Sequence, residues 1–239
     1  MTKILFFIHD LGHGGAEKVL VNLVNNMSPE YFDITVMALF GGGVNAQFLK
    51  QHIHYQAVFK KPFPGNSHLM KLFSPKRLHK WFIKEHYDIE IAYLEGPDSR
   101  IISGCPNKDT KRLSWIHCTM NTAEDTALGF RSTAEASACY SKMDAMVFVS
   151  ETNRDAFLKA CPYSGQTAVL YNTNESEKIL VLASEDATLP KDAFHWCGVG
   201  KVVPVKGFDR MIRIQQRLIA DGYYTHLCIL GEGAQQAEL

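Results

Sequence analysis

The sequence predicts an α/β protein built on parallel sheets, and three observations carry that reading. Short apolar runs alternate with longer stretches of helical periodicity along 1–172, as a parallel sheet with crossover helices requires. The first of these runs is continuous rather than alternating, which marks a strand buried on both faces. After a polar break at 173–192 the same alternation starts again and runs through 193–239.

Each element follows from its own residues. KILFFIHD (3–10) predicts the first strand, and GAEKVLVNLVNNM (15–27) a helix with Leu20, Leu23, Val24 and Met27 on one face. FDITVMALF (32–40) predicts a second strand, ended by Gly41, Gly42 and Gly43. Further strands are expected at 88–95, 111–117, 145–150 and 167–172, with helical stretches near 66–86, 121–142 and 151–160. Ser150 is placed to cap the last of these helices, since a serine hydroxyl accepts from the unpaired amides of a first turn.

Residues 173–192 are acidic and polar, carry Pro190 near their end, and read as a linker with a short helix. A new strand–helix–strand unit is expected beyond it: 194–203, a helix from Phe208 to Ala220, and 226–233. The expected organisation is thus an N-terminal Rossmann-like domain at 1–172, the linker, and the start of a second Rossmann-like domain at 193–239. One β-α-β unit cannot bury both faces of its sheet, so the second domain is expected to be incomplete, the chain a truncation.

Composition narrows the class. Hydrophobic residues make up 46% and charged residues 21%, ordinary for a globular protein with a sizeable core. No run approaches the ~18 apolar residues of a membrane span, and the apolar start is too short for a signal-peptide core. The six cysteines (105, 118, 139, 161, 197, 228) include no C-x-x-C pair, which predicts free thiols in the cytoplasm and offers no zinc-ligand spacing. Net charge is zero, yet no Asp or Glu occurs from Ile34 to Lys84, a stretch rich in lysine.

The turn Leu11-Gly12-His13-Gly14-Gly15-Ala16-Glu17 joins the first strand to the first helix. Its glycines admit a ligand close to the backbone, and the helix start offers amides to a phosphate. A tight turn with no ligand is the other reading. A dinucleotide site would need a third glycine where Glu17 stands and an acid closing the second strand, which ends instead in Phe40-Gly41.

With its neighbours this segment resembles the family-4 glycosyltransferases of two-Rossmann-domain (GT-B) type, among them enzymes of capsular and surface polysaccharide synthesis. GGAE after a first strand is similar to that family's opening, SWIH (114–117) to its strand ending in a histidine, and VFVSE (147–151) to its strand-to-helix element. VLYN (169–172) resembles the segment that leads into the second domain, VGKVVPVKGFDRMI (199–212) the G-[RK]-x(4)-KG-x-D-x-[LI] segment, and LGEG (230–233) a later glycine turn.

The resemblance implies a hexosyltransferase that moves a sugar from a UDP- or GDP-linked donor to a carbohydrate or lipid-linked acceptor with retention of configuration. No metal and no cofactor are implied, the nucleotide sugar being the substrate. It implies donor diphosphate binding by Gly14, Gly15, Lys201 and Lys206, and catalytic parts for Lys206 and for His117, facing the transferred sugar. Lys201 stands where the family usually has Arg, supplying charge without the bidentate fork. The family's acidic E-x(7)-E element lies beyond Leu239, which puts donor binding by these residues alone in question.

His9 and His13 flank the first loop, and His13 and Glu95 are acceptor-side candidates. Asp209 reads from its position as a helix cap or dipole partner.

In 59–85, Lys71, Lys76, Arg77, Lys80 and Trp81 lie among apolar residues, and Pro75 breaks the helix or opens its second part. One reading is a crossover helix with a solvated basic side. The other is a peripheral contact with anionic lipid at the inner face of the membrane. No nucleic-acid motif is present. Two further function classes stand beside the enzyme. A non-catalytic fragment would bind acceptor, membrane or a partner; a nucleotide-dependent epimerase or dehydrogenase would need Tyr-x-x-x-Lys, and Tyr140 and Lys142 have the wrong spacing.

Overall fold

A computed structural model describes residues 1–185 and 193–239. Pro190 and the remainder of 186–192, part of the expected linker, lie outside the described residues. The chain divides into two compact units, Met1–Ser176 and Glu177–Leu239.

The first unit runs β1 (Thr2–Ile8), α1 (Gly15–Asn25), β2 (Phe32–Phe40), β3 (His54–Phe59), α2 (Asn66–Lys71), α3 (Pro75–Phe82) and β4 (Ile89–Ala92). It continues with α4 (Pro97–Ile102), β5 (Lys111–Ile116), α5 (Ala123–Thr126), α6 (Thr133–Tyr140), β6 (Ala145–Phe148), α7 (Glu151–Ala160) and β7 (Gln166–Val169). The seven strands form one sheet in the order β3-β2-β1-β4-β5-β6-β7, and every pair is parallel. Strand order therefore reverses between β1 and β4, the arrangement of an open doubly wound sheet.

The continuous apolar run of β1 is explained by this position. Leu5 and Phe7 enter the core on one face of the sheet, and Ile4, Phe6 and Ile8 enter the core on the other. Because side chains alternate along a strand, burial on both faces demands apolar residues at every position. On α1 the expected face is buried at Leu20 and Val24, joined by Val21, and packs on the second of these cores.

Three expectations are corrected. Strand β3 was not expected: it is an edge strand with exposed His54, Tyr55 and Gln56 and therefore lacks the apolar run by which its neighbours are read. Helix α4 was not expected either; Asp98, Ser99, Arg100, Ile101 and Ile102 are all buried, so it has no polar face and no amphipathic period. The stretch 121–142 is two short helices, interrupted at Gly129, with Ser132 capping the second. The break expected at Pro75 in 66–86 is present, Pro75 opening α3 behind a Ser74 cap. Ser150 does cap α7, accepting from the Asn153 amide at 3.1 Å.

Two polar assemblies tie the crossover segments, one joining helices to each other and one joining α3 to the sheet. The Arg100 guanidinium meets Glu135 at 3.0 Å and donates to the carbonyls of Met70 (3.1 Å) and Phe73 (2.7 Å), satisfying groups at and just past the end of α2. Burial would raise the Glu135 pKa, but hydrogen bonds from Arg100 and from the Arg131 amide outweigh it and hold it below the ordinary carboxylate value. On α3, His79 turns inward and its Nε2 lies 2.7 Å from Glu90 of β4. Burial alone would lower the imidazole, yet hydrogen bonds to Cys105 and Glu90 and the Glu90 charge raise it to about 9.

The second unit contains most of α8 (Ser176–Ala183), then β8 (Phe194–Val199), α9 (Phe208–Ala220) and β9 (Thr225–Leu230), with β8 and β9 parallel. Gln215 of α9 binds both strands, accepting from Trp196 Nε1 at 2.9 Å and donating to the Thr225 carbonyl at 2.7 Å. All six cysteines are free thiols.

Replacing Arg100 by Leu should destabilise the chain by about 3–5 kcal/mol, because Glu135 and two carbonyls lose their partner. Urea unfolding followed by circular dichroism checks this; a loss below about 1 kcal/mol would show that solvent satisfies those groups instead.

Candidate active site

In the first unit the carboxyl ends of β1, β2, β4, β5 and β6 deliver the loops that matter, and the reversal between β1 and β4 separates the first two from the rest. The β1–α1 loop is held from the β2 side. Asn45 donates its amide N–H to the Leu11 carbonyl at 2.8 Å and its side-chain NH2 to the Gly12 carbonyl. Gly43 is required here, since a Cβ at that position would run into the Leu11 carbonyl group. Asp10 closes the loop by accepting from the Gly12 amide at 2.7 Å.

The loop leads into the first turn of α1. A Cβ at Gly15 would meet nothing, so the backbone there is open to an approaching group. Beside Gly14 the Glu17 carboxylate folds back over the turn, where it complements the positive end of the helix. His13 is exposed, and among the described residues no hydrogen bond joins it to the other candidates. His9 packs edge-on against Phe40, ring centroids 5.1 Å apart.

Glu95 and His117 are brought together. Glu95 accepts from the His117 amide at 2.8 Å, which fixes the β5 exit relative to β4. The His117 ring lies on Tyr93 at 4.8 Å and stacks on Trp115 at 6.2 Å. Burial lowers the His117 pKa and Glu95 only partly opposes that, so the imidazole is neutral at pH 7. Its Nε2 has no hydrogen-bond partner, nor do Tyr93 Oη and Trp115 Nε1. Tyr93 and Trp115 also line a cavity of about 270 Å³ with Val19, Leu23, Tyr171 and Thr173. Beyond His117, the Asn153 side chain donates to the Cys118 carbonyl at 2.6 Å and anchors this loop to α7.

Asp98 was not singled out from the sequence. Its side chain is fully buried, and neither carboxylate oxygen has a hydrogen-bond partner. Burial pushes its pKa well up, and the Glu95 and Asp10 carboxylates push the same way against the nearby His9 amide. The environment of Asp98 therefore favours its protonated form. Asn45, Asn153, Tyr93 and Trp115 were missed as well; only the spacing of Asn153 from the Ser150 cap offered a signal.

In the second unit, Lys201 and Lys206 are both exposed on the β8–α9 connection. Lys206 ends a short 3-10 turn, Pro204–Lys206, followed by Gly207 at φ +68°, which starts α9. Among the described residues neither lysine is in an ion pair, so both charges are available to an anion at the start of a 13-residue helix. Asp209 is not the cap: Gly207 holds that position, and Asp209 sits in the first turn and pairs with Arg213.

The basic segment is brought to the surface as a group. Lys76, Arg77, Lys80 and Trp81 are exposed on α3, and Lys71 is half-buried at the end of α2. Leu72 between the helices is 72% exposed.

Residues 13–174 match the family described as Glycosyltransferase Family 4. The chain is 27% identical, over its whole length and 65% of the relative's, to the Campylobacter jejuni N-acetylgalactosamine-N,N'-diacetylbacillosaminyl-diphospho-undecaprenol 4-alpha-N-acetylgalactosaminyltransferase. It is 22% identical to an uncharacterized glycosyltransferase of Haemophilus influenzae, of which it covers 64%. It thus spans just under two thirds of both relatives. Among solved structures, Anabaena Alr3699/HepE in complex with UDP and glucose superimposes with a TM-score of 0.62 at 17% identity, covering 99% of this chain and 63% of that one. TarM of S. aureus, determined with fondaparinux, alpha-GlcNAc-glycerol and UDP, gives 0.64 at 12% identity, covering 100% and 74%. These likenesses establish the GT-B fold class.

The Asp98→Asn variant should be at least as stable as the parent at pH 7. The unfolded side chain ionises near pH 4 whereas the buried one stays protonated, so Asp98 makes stability fall as pH rises above about 4. Denaturant titrations at pH 4 and pH 7 check this: the advantage of Asn should be present at pH 7 and absent at pH 4. A variant less stable at both values would assign Asp98 a paired, ionised role.

Proposed function

Since the chain belongs to glycosyltransferase family 4, we propose that it takes part in hexosyl transfer from a UDP- or GDP-linked sugar to a carbohydrate or lipid-linked acceptor. The observation that carries the reading is a neutral, desolvated His117 with an unpartnered Nε2 at the carboxyl edge of a doubly wound sheet. A neutral imidazole hydrogen-bonds a sugar hydroxyl without fixing a charge beside it. Glu95, which accepts from the His117 amide, stands beside that ring as the candidate partner of an acceptor hydroxyl.

The leaving group is a nucleoside diphosphate, and charge develops on it as the sugar–phosphate bond breaks. Lys201 and Lys206 in the second unit supply two cations, beside the amides that begin α9, to offset that charge. Gly15 supplies backbone room in the first unit, while at Gly14, the other diphosphate candidate, that room is taken by the Glu17 carboxylate. Cations and helix amides are thus proposed to do what a divalent ion does in other transferases. Retention of configuration at the transferred carbon belongs to this reading. A role in surface polysaccharide synthesis is supported by the undecaprenol-linked acceptor in the name of the Campylobacter relative.

A lipid-linked acceptor has to be met at a membrane. Exposed Lys76, Arg77, Lys80 and Trp81, with Leu72 beside them, combine cations for lipid phosphates with apolar groups for the interface. No helix among the described residues is long and apolar enough to cross a membrane. The proposed location is peripheral, at the cytoplasmic face.

Two experiments test this. Mass spectrometry of polyprenyl-diphosphate-linked sugar acceptors incubated with UDP- or GDP-sugars should show one added hexose-type unit. His117→Ala should slow that addition about ten- to hundredfold, the worth of one well-placed hydrogen bond. An equal rate in the variant removes His117 from the reaction. Sedimentation with vesicles containing anionic lipid should capture the parent chain and lose most of it on combined Lys76→Glu, Arg77→Glu and Lys80→Glu exchange. Capture independent of lipid charge would assign this face to solvent.

A further inference from the structure

One cluster of chemistry-bearing side chains lies outside the crevice and is used by nothing above. His79 comes from α3, Glu90 from the second position of β4, and Cys105 from the connection after α4. All three are buried. His79 Nε2 is 2.7 Å from Glu90 Oε2, Cys105 Sγ is 3.5 Å from Glu90 Oε1, and the three ligand-type atoms lie within 4.8 Å of one another. Glu90 stands at the start of β4, at the opposite end of the strand from Glu95.

We propose that His79, Glu90 and Cys105 form a binding site for one zinc-class divalent ion that fixes α3 to the sheet. In a tetrahedral zinc centre with bonds of roughly 2.0–2.3 Å, ligand atoms stand roughly 3.3–3.8 Å apart, so the cluster reaches that geometry by side-chain shifts below about 1 Å. The donor set selects the metal class. One imidazole, one carboxylate and one thiolate suit zinc or cobalt, whereas magnesium and calcium take oxygen ligands.

Two cavities border the cluster. One of about 490 Å³ is lined by His79, and one of about 510 Å³ is lined by Cys105; Lys76 and Pro106 line both. They give the ion an entry path and the fourth coordination position to solvent. Lysines 76, 80 and 84 at the first mouth oppose a bare cation. The two anionic ligands answer that opposition by neutralising the ion once it is bound. The ion takes up imidazole, carboxylate and thiolate, and the protons these groups carry leave to solvent. The site closes without redox chemistry.

The test uses the full chain, reduced and stripped of metal, titrated with Co²⁺. One equivalent should bind, with a near-ultraviolet thiolate-to-cobalt band and the visible bands of a tetrahedral ion. Cys105→Ser should abolish the thiolate band and weaken binding by more than about tenfold, while Cys197→Ser, at an exposed cysteine in the second unit, should change neither. Loss of the band in Cys197→Ser but not in Cys105→Ser overturns the assignment, as does the absence of any stoichiometric binding. X-ray absorption on the unmutated zinc-loaded chain decides the case even if Cys105→Ser does not fold. One sulfur at about 2.3 Å with nitrogen or oxygen neighbours supports the site, and zero or several sulfurs exclude it.

Discussion

The reversal of strand order between β1 and β4 is the constraint on which the first unit's chemistry depends. Because right-handed crossovers run one way from β1 and the other way from β4, the loops leaving these strands part instead of packing together. What lies in the gap is then set by backbone anchors rather than by bulk. Asn45 holds the glycine loop, Glu95 holds the start of the β5 exit, and Asn153 holds its next carbonyl. Each anchor is a side chain bonding a main-chain group of a neighbouring loop, so the crevice is shaped without any loop being buried whole.

The same crevice concentrates unsatisfied polar groups. His117 Nε2, Tyr93 Oη, Trp115 Nε1 and both oxygens of Asp98 lack partners, while polar groups elsewhere in the sheet are mostly paired. Unpaired buried groups destabilise a fold by about 1–3 kcal/mol each, so their gathering at one strand edge fits a place where a ligand supplies the missing hydrogen bonds. The surrounding aromatic rings lower the local dielectric. That keeps His117 neutral and Asp98 protonated, and strengthens any hydrogen bond formed with a sugar hydroxyl. The paired assemblies, Arg100 with Glu135 and His79 with Glu90, lie on the crossover segments and secure the basic helices instead.

How much of this is legible in the sequence depends on burial. β1 and β2 are readable because both faces are covered and the apolar run is unbroken. β3 is not, because an edge strand with exposed His54, Tyr55 and Gln56 carries no such signal. Helix α4 hides for the opposite reason: burial on all sides, with Ser99 bonded to Ser114 at 2.7 Å and Arg100 saturated by carbonyls and Glu135, erases the polar face that marks a helix. His117 and the glycine loop stand at strand ends, where their position alone suggests ligand contact. Asp98 and Asn45 do not, since their part comes from tertiary burial and from a contact between loops. His79, Glu90 and Cys105 are spaced unlike any sequence motif and meet only because three elements converge.

The central proposal is that Lys206 holds the nucleoside diphosphate of a sugar donor. The most direct measurement is isothermal titration of the chain with UDP, GDP and their hexose derivatives, run beside Lys206→Ala. Saturable binding of one nucleotide series, weakened about tenfold or more in the variant as expected for loss of a charged hydrogen-bond donor, is the predicted result. Binding unchanged by Lys206→Ala, or no binding of either series, would contradict the account.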